Sequence, residues 1–438
     1  MLAYHFWRGE DWDRAFRYNR EAGLKAQALS AYFEALQFLE VALDALQKLP
    51  GSRSRMEQEI DLRFNMRSAL FPLGRHEDWA DHIRVAESLA KKIKDKHRLA
   101  NSYVYLSGHH WIRGRHQEAI SLGEESLLLA KSLHNFSVEV TAKLHLGIPL
   151  LYTGQIERQT AILREAAGQL SGSEALKRHG FTTVPAITIR AYLAWGFAEL
   201  GDFEEAEMWA RQGIELSGKV KNLLSTGFVK AAAGLAFLRK GDLDEALRLL
   251  SEAFTMSRDA DLQSCFSFAA GSLGDAYLLS GRPEAAVPIL IEAVDRHYLD
   301  SSFIPPIYVI TVLSEAYRRL GKIRDAAEAC DKAVRLLEQN GEHCFGAWAL
   351  FTNAKIQSEQ SRNRVETAEH AFWEAMKLAE ELKMKPLMAH CHLELGKLYL
   401  RAKNEGARKE FEHAIGIYRS LNMKFWLPEA EELLNRAG

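Results

Sequence analysis

The sequence predicts an all-α solenoid of about ten antiparallel helix pairs. Two residue series carry that prediction. Small residues return at Ala86, Ser126, Ala166, Gly213, Ala253, Ala293, Ala333 and Ala375, and five of those seven steps are 40 residues long. Glycines run in phase at Gly74, Gly114, Gly154, Gly201, Gly241, Gly281 and Gly321. Both series share one long step of 47 residues. Agreement of this kind marks a tandem array of one supersecondary unit, so function has to be argued from the array.

The clearest copy runs from Leu273 to Ala293. Gly274 and Tyr277 share one face of a first helix at i, i+3 spacing. Gly281 is the residue that tolerates a left-handed turn and ends that helix. Pro283 stands just inside the second helix, where its missing N–H costs nothing. Ala286, Leu290 and Ala293 recur at i, i+4, i+7 and form one buried stripe. Small residues at Gly274, Ala286 and Ala293 let two helix backbones approach closely.

Other copies repeat the pattern. Gly234, Phe237, Gly241, Ala246, Leu250 and Ala253 form one, and Leu313, Tyr317, Gly321, Ala326, Cys330 and Ala333 the next. Leu193, Phe197, Gly201 and Ala206 begin a further copy. Gly396, Tyr399, Ala407, Phe411 and Ala414 repeat it with a shorter loop, and Ala35, Leu39 and Ala42 mark a second helix near the start. The expected total is about ten pairs with a half-copy at each end.

These positions resemble the tetratricopeptide repeat. The resemblance covers nearly the whole chain and implies a right-handed superhelix whose first helices line a concave groove. The usual period is about 34 residues. Six extra residues add about 9 Å of helix per pair, which predicts a thicker wall and a wider groove. The expected organisation is one continuous solenoid: helix pairs over 1–167, an inserted loop over 168–185, and helix pairs over 186–438.

Composition narrows the function classes. Hydrophobic residues make up 47% of the chain, ample for a continuous core. Lys and Arg number 56 against 58 acidic residues, a balance that argues against a nucleic-acid surface. No run of eighteen apolar residues is present, so no membrane span is expected. The apolar stretch from Met1 to Trp7 is too short for a signal peptide. Cys265, Cys330, Cys344 and Cys391 have no paired spacing, which fits reduced thiols and a cytoplasmic location.

The array departs from itself at a few places. Gly168, Gly172, Gly180 and Pro185 make the long step a loop, either a tolerated surface excursion or a lip or hinge of the groove. Residues 304–313 and 184–192 look like strands in isolation. The repeat register assigns both to the start of a first helix, and Pro305-Pro306 suits a helix start. Pro149 and Pro288 fall inside expected helices, where kinks are expected.

No phosphate-binding loop, dinucleotide fingerprint or nucleophile elbow occurs. His76, Glu77 and His82 miss the spacing of a zinc-protease helix. His390 and His392 fall on different helix faces, as do His109 and His110, so neither pair is expected to share a metal. Carboxylates lie among lysines and arginines on exposed faces. No catalytic residue, cofactor or metal is expected, and the chain is read as non-enzymatic. Binding remains. The repeat register points Trp111, Tyr152, Arg190, Trp195, Tyr308, Arg318, Arg319, His390 and Arg401 into the groove. Aromatics with arginines suit a protein or peptide partner or a small anionic ligand, while some of them simply pack between helices.

The ends carry a closer resemblance. The stretches from Leu2 to Ala15, Glu21 to Ala35, Lys385 to Tyr399 and Met423 to Glu431 resemble the C-terminal repeat region of bacterial multidomain regulators, as does the insertion from His179 to Trp195. Those regulators join a class III adenylate/guanylate cyclase domain and an AAA-type ATPase domain to such an array. None of their metal aspartates or Walker residues has a counterpart here. The resemblance implies a sensor or scaffold arm in signal transduction, associated with or attached to cyclase/ATPase domains. The chain is then expected to be either a fragment of a protein described as a cyclase or a free-standing relative without the enzyme domains, and an opening in mid-pattern favours the fragment. The sensor arm of an ATP-dependent transcription regulator is the alternative, disfavoured because Leu433 to Gly438 leaves no room for a helix-turn-helix.

Overall fold

The computed structural model describes residues 2–29, 31–71, 73–299, 307–360 and 365–437. Their regular elements are 22 α-helices and one short 3-10 turn. The chain forms two compact units, one built mainly from residues 1–146 and the other mainly from 147–438.

The first unit contains α1 (Leu2–Arg8), α2 (Trp12–Ala28), α3 (Tyr32–Gln47), α4 (Arg53–Leu70), α5 (His76–Lys92), α6 (Lys96–Ile112), α7 (His116–Ser132) and the start of α8 (Phe136–Tyr152). The second holds the end of α8, α9 (Ile156–Gln169), the 3-10 turn (Gly172–Leu176), α10 (Pro185–Leu200), α11 (Phe203–Ser217), α12 (Leu223–Lys240) and α13 (Leu243–Asp259). It continues through α14 (Gln263–Leu279), α15 (Pro283–Leu299), α16 (Ile307–Arg319), α17 (Ile323–Asn340), α18 (His343–Gln360) and α19 (Val365–Glu381). It ends with α20 (Lys385–Arg401), α21 (Gly406–Ser420) and α22 (Leu427–Ala437). From α2 to α21 these are ten pairs, with α1 and α22 as single helices at the ends, as the repeat pattern predicts.

The glycine series does what the sequence assigns to it. All seven glycines stand between the two helices of a pair with φ between 69° and 89°. The turns between pairs use other residues in the same conformation, among them Lys94, His134, Asp261, Lys383 and Asn422. Left-handed backbone is favoured by glycine, and most of the turns within and between these pairs carry one residue in it. Asp95 and Asn222 add side-chain caps, accepting from the backbone N–H of Arg98 and Ser225 at 3.0 and 2.8 Å.

The small-residue stripe is core. Ala246, Leu250, Ala253, Ala286, Leu290, Ala293, Ala326, Cys330 and Ala333 are all fully buried. A Cβ at Gly234 would meet the Leu250 side chain at 2.5 Å, and one at Gly274 would meet Leu290 at 2.8 Å. The helix–helix distance within a pair is thus set by the absence of a methyl group.

Both strand-like stretches are helical where described: α10 starts at Pro185 and α16 covers 307–319. Tandem packing outweighs β-propensity there. Pro305-Pro306 lie outside the described residues. Pro149 and Pro288 sit inside α8 and α15, which run on through them.

In the first unit, α4 buries Arg67. Its guanidinium lies 4.4 Å from the Tyr105 ring centroid, 5.2 Å from Phe181 and 5.3 Å from Trp79. His179–Thr182 from the long repeat step belong to this unit, and the Phe181 ring packs 4.8 Å from His145. The inserted segment therefore contributes a half-buried ring packed against the core as well as exposed loop.

Candidate functional site

In the second unit the first helices of successive pairs touch each other, α10 to α12 and onward to α20, and form its inner layer. Three positions on these helices decide what that layer presents. Phe228, Phe268, Tyr308 and Trp348 follow one another at 40-residue intervals. Seven residues further along each helix stand Leu235, Asp275, Glu315 and Lys355, and four beyond those Arg239, Leu279, Arg319 and Glu359. At about 100° per residue, offsets of seven and eleven fall within about 20° of the starting direction. Each helix therefore carries one aromatic and up to two charges along a single inward stripe.

The aromatics form a ladder. Ring centroids lie 5.6 Å apart for Phe228 and Phe268, and 6.4 Å for Phe268 and Tyr308. Phe345 stacks on Tyr308 at 5.0 Å and reaches Trp195 at 5.2 Å and Tyr152 at 5.6 Å. The inner faces of α10 and α18 thus meet. In place of the wide groove expected from the long helices, this end of the inner layer is packed with rings.

Beyond the ladder the stripe turns polar. Arg239 is buried, and donates from Nε to Glu199 at 3.2 Å and from Nη1 to Asp275 at 3.0 Å. Its guanidinium covers the Trp348 ring at 3.9 Å. Its Nη2 is buried with no hydrogen-bond partner among the described residues. Burial by itself would loosen the Arg239 proton, but the Glu199 and Asp275 carboxylates outweigh it and hold the pKa above the ordinary value.

A second node surrounds Glu315. It accepts from Lys355 at 2.7 Å, from Arg319 at 2.8 Å, and from Arg318 at 2.7 and 2.8 Å. Burial would raise its pKa, yet Lys355, Arg318 and Arg319 hold it well below the carboxylate range. Lys355 is shifted down, because its burial outweighs the pull of Glu315. Burial beside Arg239, Lys355 and Lys397 pushes His390 down to about 3, so that it is neutral.

Between the nodes lies a cavity of about 510 Å³, within the usual size range of small-ligand and peptide side-chain pockets. Tyr308, Trp348, Phe351 and Trp426 give it aromatic walls. Arg239, Arg318, Arg319, Lys355 and Lys397 face it with Asp275, Glu315, Glu394 and Glu429, while Glu199 and Glu359 pair with Arg239 and Arg318 from behind. Trp426 belongs to the segment joining α21 to α22. That segment lies over the turn between α12 and α13, where a Cβ at Gly241 would touch the Phe425 Cβ at 2.6 Å. Leu382 lies against Gly154 and Leu421 against Gly201, and the Lys383 amine reaches Glu157 at 2.6 Å. The last helix pairs of this unit therefore sit on the turns of its first ones.

Four of the residues expected in the groove line this cavity: Tyr308, Arg318, Arg319 and His390. Trp195 and Tyr152 lie in the ring cluster instead, with Trp195 fully buried and donating to Glu199 at 3.2 Å. Arg190 turns toward α11, where it meets Gln212 at 3.3 Å and the Trp209 ring at 5.8 Å. Trp111 is half-buried and packs against the core of the first unit. Arg401 is exposed at the end of α20. Glu199, Arg239, Asp275, Trp348, Lys355 and Trp426 are absent from the expected set. Asp275, Glu315 and Lys355 stand 40 residues apart, and that spacing was the available signal.

Among the described residues, one group offers metal-ligand chemistry: His392, Glu410 and His413. His390 and His392 do diverge, the first into the cavity and the second toward α21. No described helix is long and apolar enough to cross a membrane.

No family model matches the chain. It is 24% identical over 312 residues to the 43 kDa receptor-associated protein of the synapse from Tetronarce californica, a match spanning 67% of each chain. Against the Gallus gallus protein of the same name it is 23% identical, over 53% of this chain and 55% of that one. A kinesin light chain-related protein of Arabidopsis thaliana is 24% identical over 53% of this chain and 37% of its own length. Among solved structures, a Rap protein complexed with competence and sporulation factor superposes with a TM-score of 0.63 at 13% identity, covering 84% of this chain and 98% of that one. The Rap conjugation regulator of plasmid pLS20, in complex with a Phr peptide, gives 0.54 at 13% identity over 80% and 95%. Such likenesses establish the fold: the chain is a tetratricopeptide-repeat-like α-solenoid.

Proposed function

We propose that this chain is a non-catalytic scaffold and sensor arm, and that it binds an extended peptide carrying a carboxylate in the cavity of its second unit. The observation that carries the reading is the inward stripe. It places aromatic walls beside a cluster of guanidinium and ammonium groups, with one Arg239 donor buried and without a hydrogen-bond partner among the described residues. Such a site pairs apolar side chains with a bidentate or charge-assisted acceptor. A peptide in complex with a Rap protein of the same fold belongs to the same ligand class.

Occupancy of the cavity has a route to the rest of the unit. Its walls come from α12 to α20 and from the Phe425–Glu429 segment, which rests on the Gly241 turn. A ligand that holds both elements favours the conformation in which they are in contact, and shifts the equilibrium by its differential affinity for that state. In this reading the arm acts in the cytoplasm and biases cyclase/ATPase-type domains joined to it or bound by it, as the resemblance of the chain ends implies.

Calorimetric titration with N-acetylated tetrapeptides tests the site, one series acidic and one amide-capped and neutral. The acidic series should bind in the micromolar range or better. Arg319→Gln should weaken it about tenfold, the effect of one charge-assisted hydrogen bond. Equal binding of both series, or no effect of Arg319→Gln, contradicts the reading. For the regulatory role, the turnover of a cyclase–ATPase carrying this arm should respond to the same peptide. An unaltered rate at saturation contradicts it.

A further inference from the structure

We propose that His392, Glu410 and His413 form a zinc site that clamps α20 to α21. Each of the three offers a ligand atom, and these atoms all lie within 4.8 Å of one another. His392 Nδ1 is 2.6 Å from a Glu410 carboxylate oxygen, and the His392 and His413 rings are 4.9 Å apart at 71°.

The backbone sets this up. Glu410 and His413 are three residues apart on α21 and so share a face. His392 projects from α20, the helix paired with it. Metal–ligand bonds of about 2.0–2.2 Å in a tetrahedron put neighbouring donor atoms about 3.3 Å apart. The His392–Glu410 distance is already shorter than that. That pair has to part by about 0.7 Å, and His413, which is exposed, has to turn in about its side-chain torsions. Two imidazoles and one carboxylate suit Zn²⁺, whereas Mg²⁺ and Ca²⁺ take oxygen ligands. The exposed side leaves the fourth position to water.

A plain His392–Glu410 hydrogen bond explains two of the three residues. It does not explain why a second imidazole stands on the Glu410 face. On binding, the metal replaces the Nδ1 proton of His392. That proton passes to Nε2 if the ring is neutral and to solvent if it is an imidazolium. The same helix α20 carries His390, Glu394 and Lys397 into the cavity. The metal therefore fixes one wall of that cavity, although the site stands on its own geometry and does not depend on the peptide reading.

The test titrates the metal-free full chain with ZnCl₂, and with MgCl₂ and CaCl₂ as controls, by calorimetry and thermal unfolding. One Zn²⁺ per chain should bind and raise Tm. Losing a ligand costs at least what losing a supporting group does, so His413→Ala and Glu410→Gln should weaken binding by about tenfold or more. His413 is exposed, so its replacement leaves the fold intact. His370→Ala, at an exposed i, i+4 pair with Glu374 on α19, should bind like the parent. Co²⁺ in place of zinc should show the intense visible absorption of a four-coordinate ion, lost in His392→Ala. The proposal is overturned if no Zn²⁺ binds at stoichiometric concentration, if His413→Ala binds as the parent does, or if Mg²⁺ or Ca²⁺ raises Tm equally.

Discussion

Trp348 donates its indole N–H to Glu199 at 2.9 Å across 149 residues of sequence. The same carboxylate accepts from Arg239 and from the Trp195 indole, both at 3.2 Å. One buried anion thereby ties three helices of the inner layer, α10, α12 and α18. Glu199→Gln removes one of the two carboxylates that balance Arg239 and leaves the buried cation with the part-exposed Asp275 alone. Breaking a buried pair in this way costs about 3–5 kcal/mol. Urea unfolding of Glu199→Gln should lose stability on that scale, while Glu204→Gln, on the surface side of α11, should change it little.

Packing within the pairs gives a second expectation. Ala286→Leu and Gly274→Ala both add atoms where α14 and α15 meet, the latter 2.8 Å from Leu290. Overpacking of this kind costs about 1–3 kcal/mol. The loss should be local, since neighbouring repeats carry most of each other's stability. Hydrogen exchange should quicken in α14–α15 first, and unchanged melting of both variants contradicts the assigned register.

Acid should destabilise the chain through two half-buried histidines. Burial, aided by nearby cations, pushes His390 and His145 down to about 3. Both are near 6.5 when unfolded. Between those values the unfolded state holds the extra proton, so stability is complete above about pH 6.5 and is lost as pH falls toward 3. Each group contributes a slope of up to about 1.4 kcal/mol per pH unit. His390→Gln should flatten the fall in Tm between pH 6 and pH 4, measured by calorimetry.

All four thiols should resist alkylation in the folded chain. Cys265, Cys330, Cys344 and Cys391 are fully buried, and burial pushes Cys265 and Cys330 up to about 12. Iodoacetamide at pH 8 should label none of them without denaturant and all four in urea, counted by mass spectrometry.

The scaffold was legible in the sequence because it rests on local rules. Gly281 must turn left-handed, Ala286 and Ala293 must be small, and both recur at a fixed interval, so periodicity exposes them. The cavity was legible only in part. Tyr308, Arg318, Arg319 and His390 follow from the register, whereas Glu199 and Trp348 meet only because α10 and α18 come together, a contact no local pattern encodes. Arg190 shows the converse. Its true register equivalent is Lys230, two residues and about 200° beyond the inward position of Phe228, so it faces α11 and meets Gln212 and the Trp209 ring as Lys230 meets Glu252. The tie between His392 and Glu410 depends on how α20 and α21 rotate against each other, which spacing along one helix does not report.

The central claim is that the second unit holds its ligand between Trp348, Trp426 and the Glu315 cation cluster. Tryptophan emission during titration with an acidic tetrapeptide tests it most directly, comparing the parent chain with Trp426→Phe. A saturable change in the parent that shrinks in the variant is the predicted result. An emission spectrum unmoved by peptide at millimolar concentration, or one that moves identically in both chains, would contradict it.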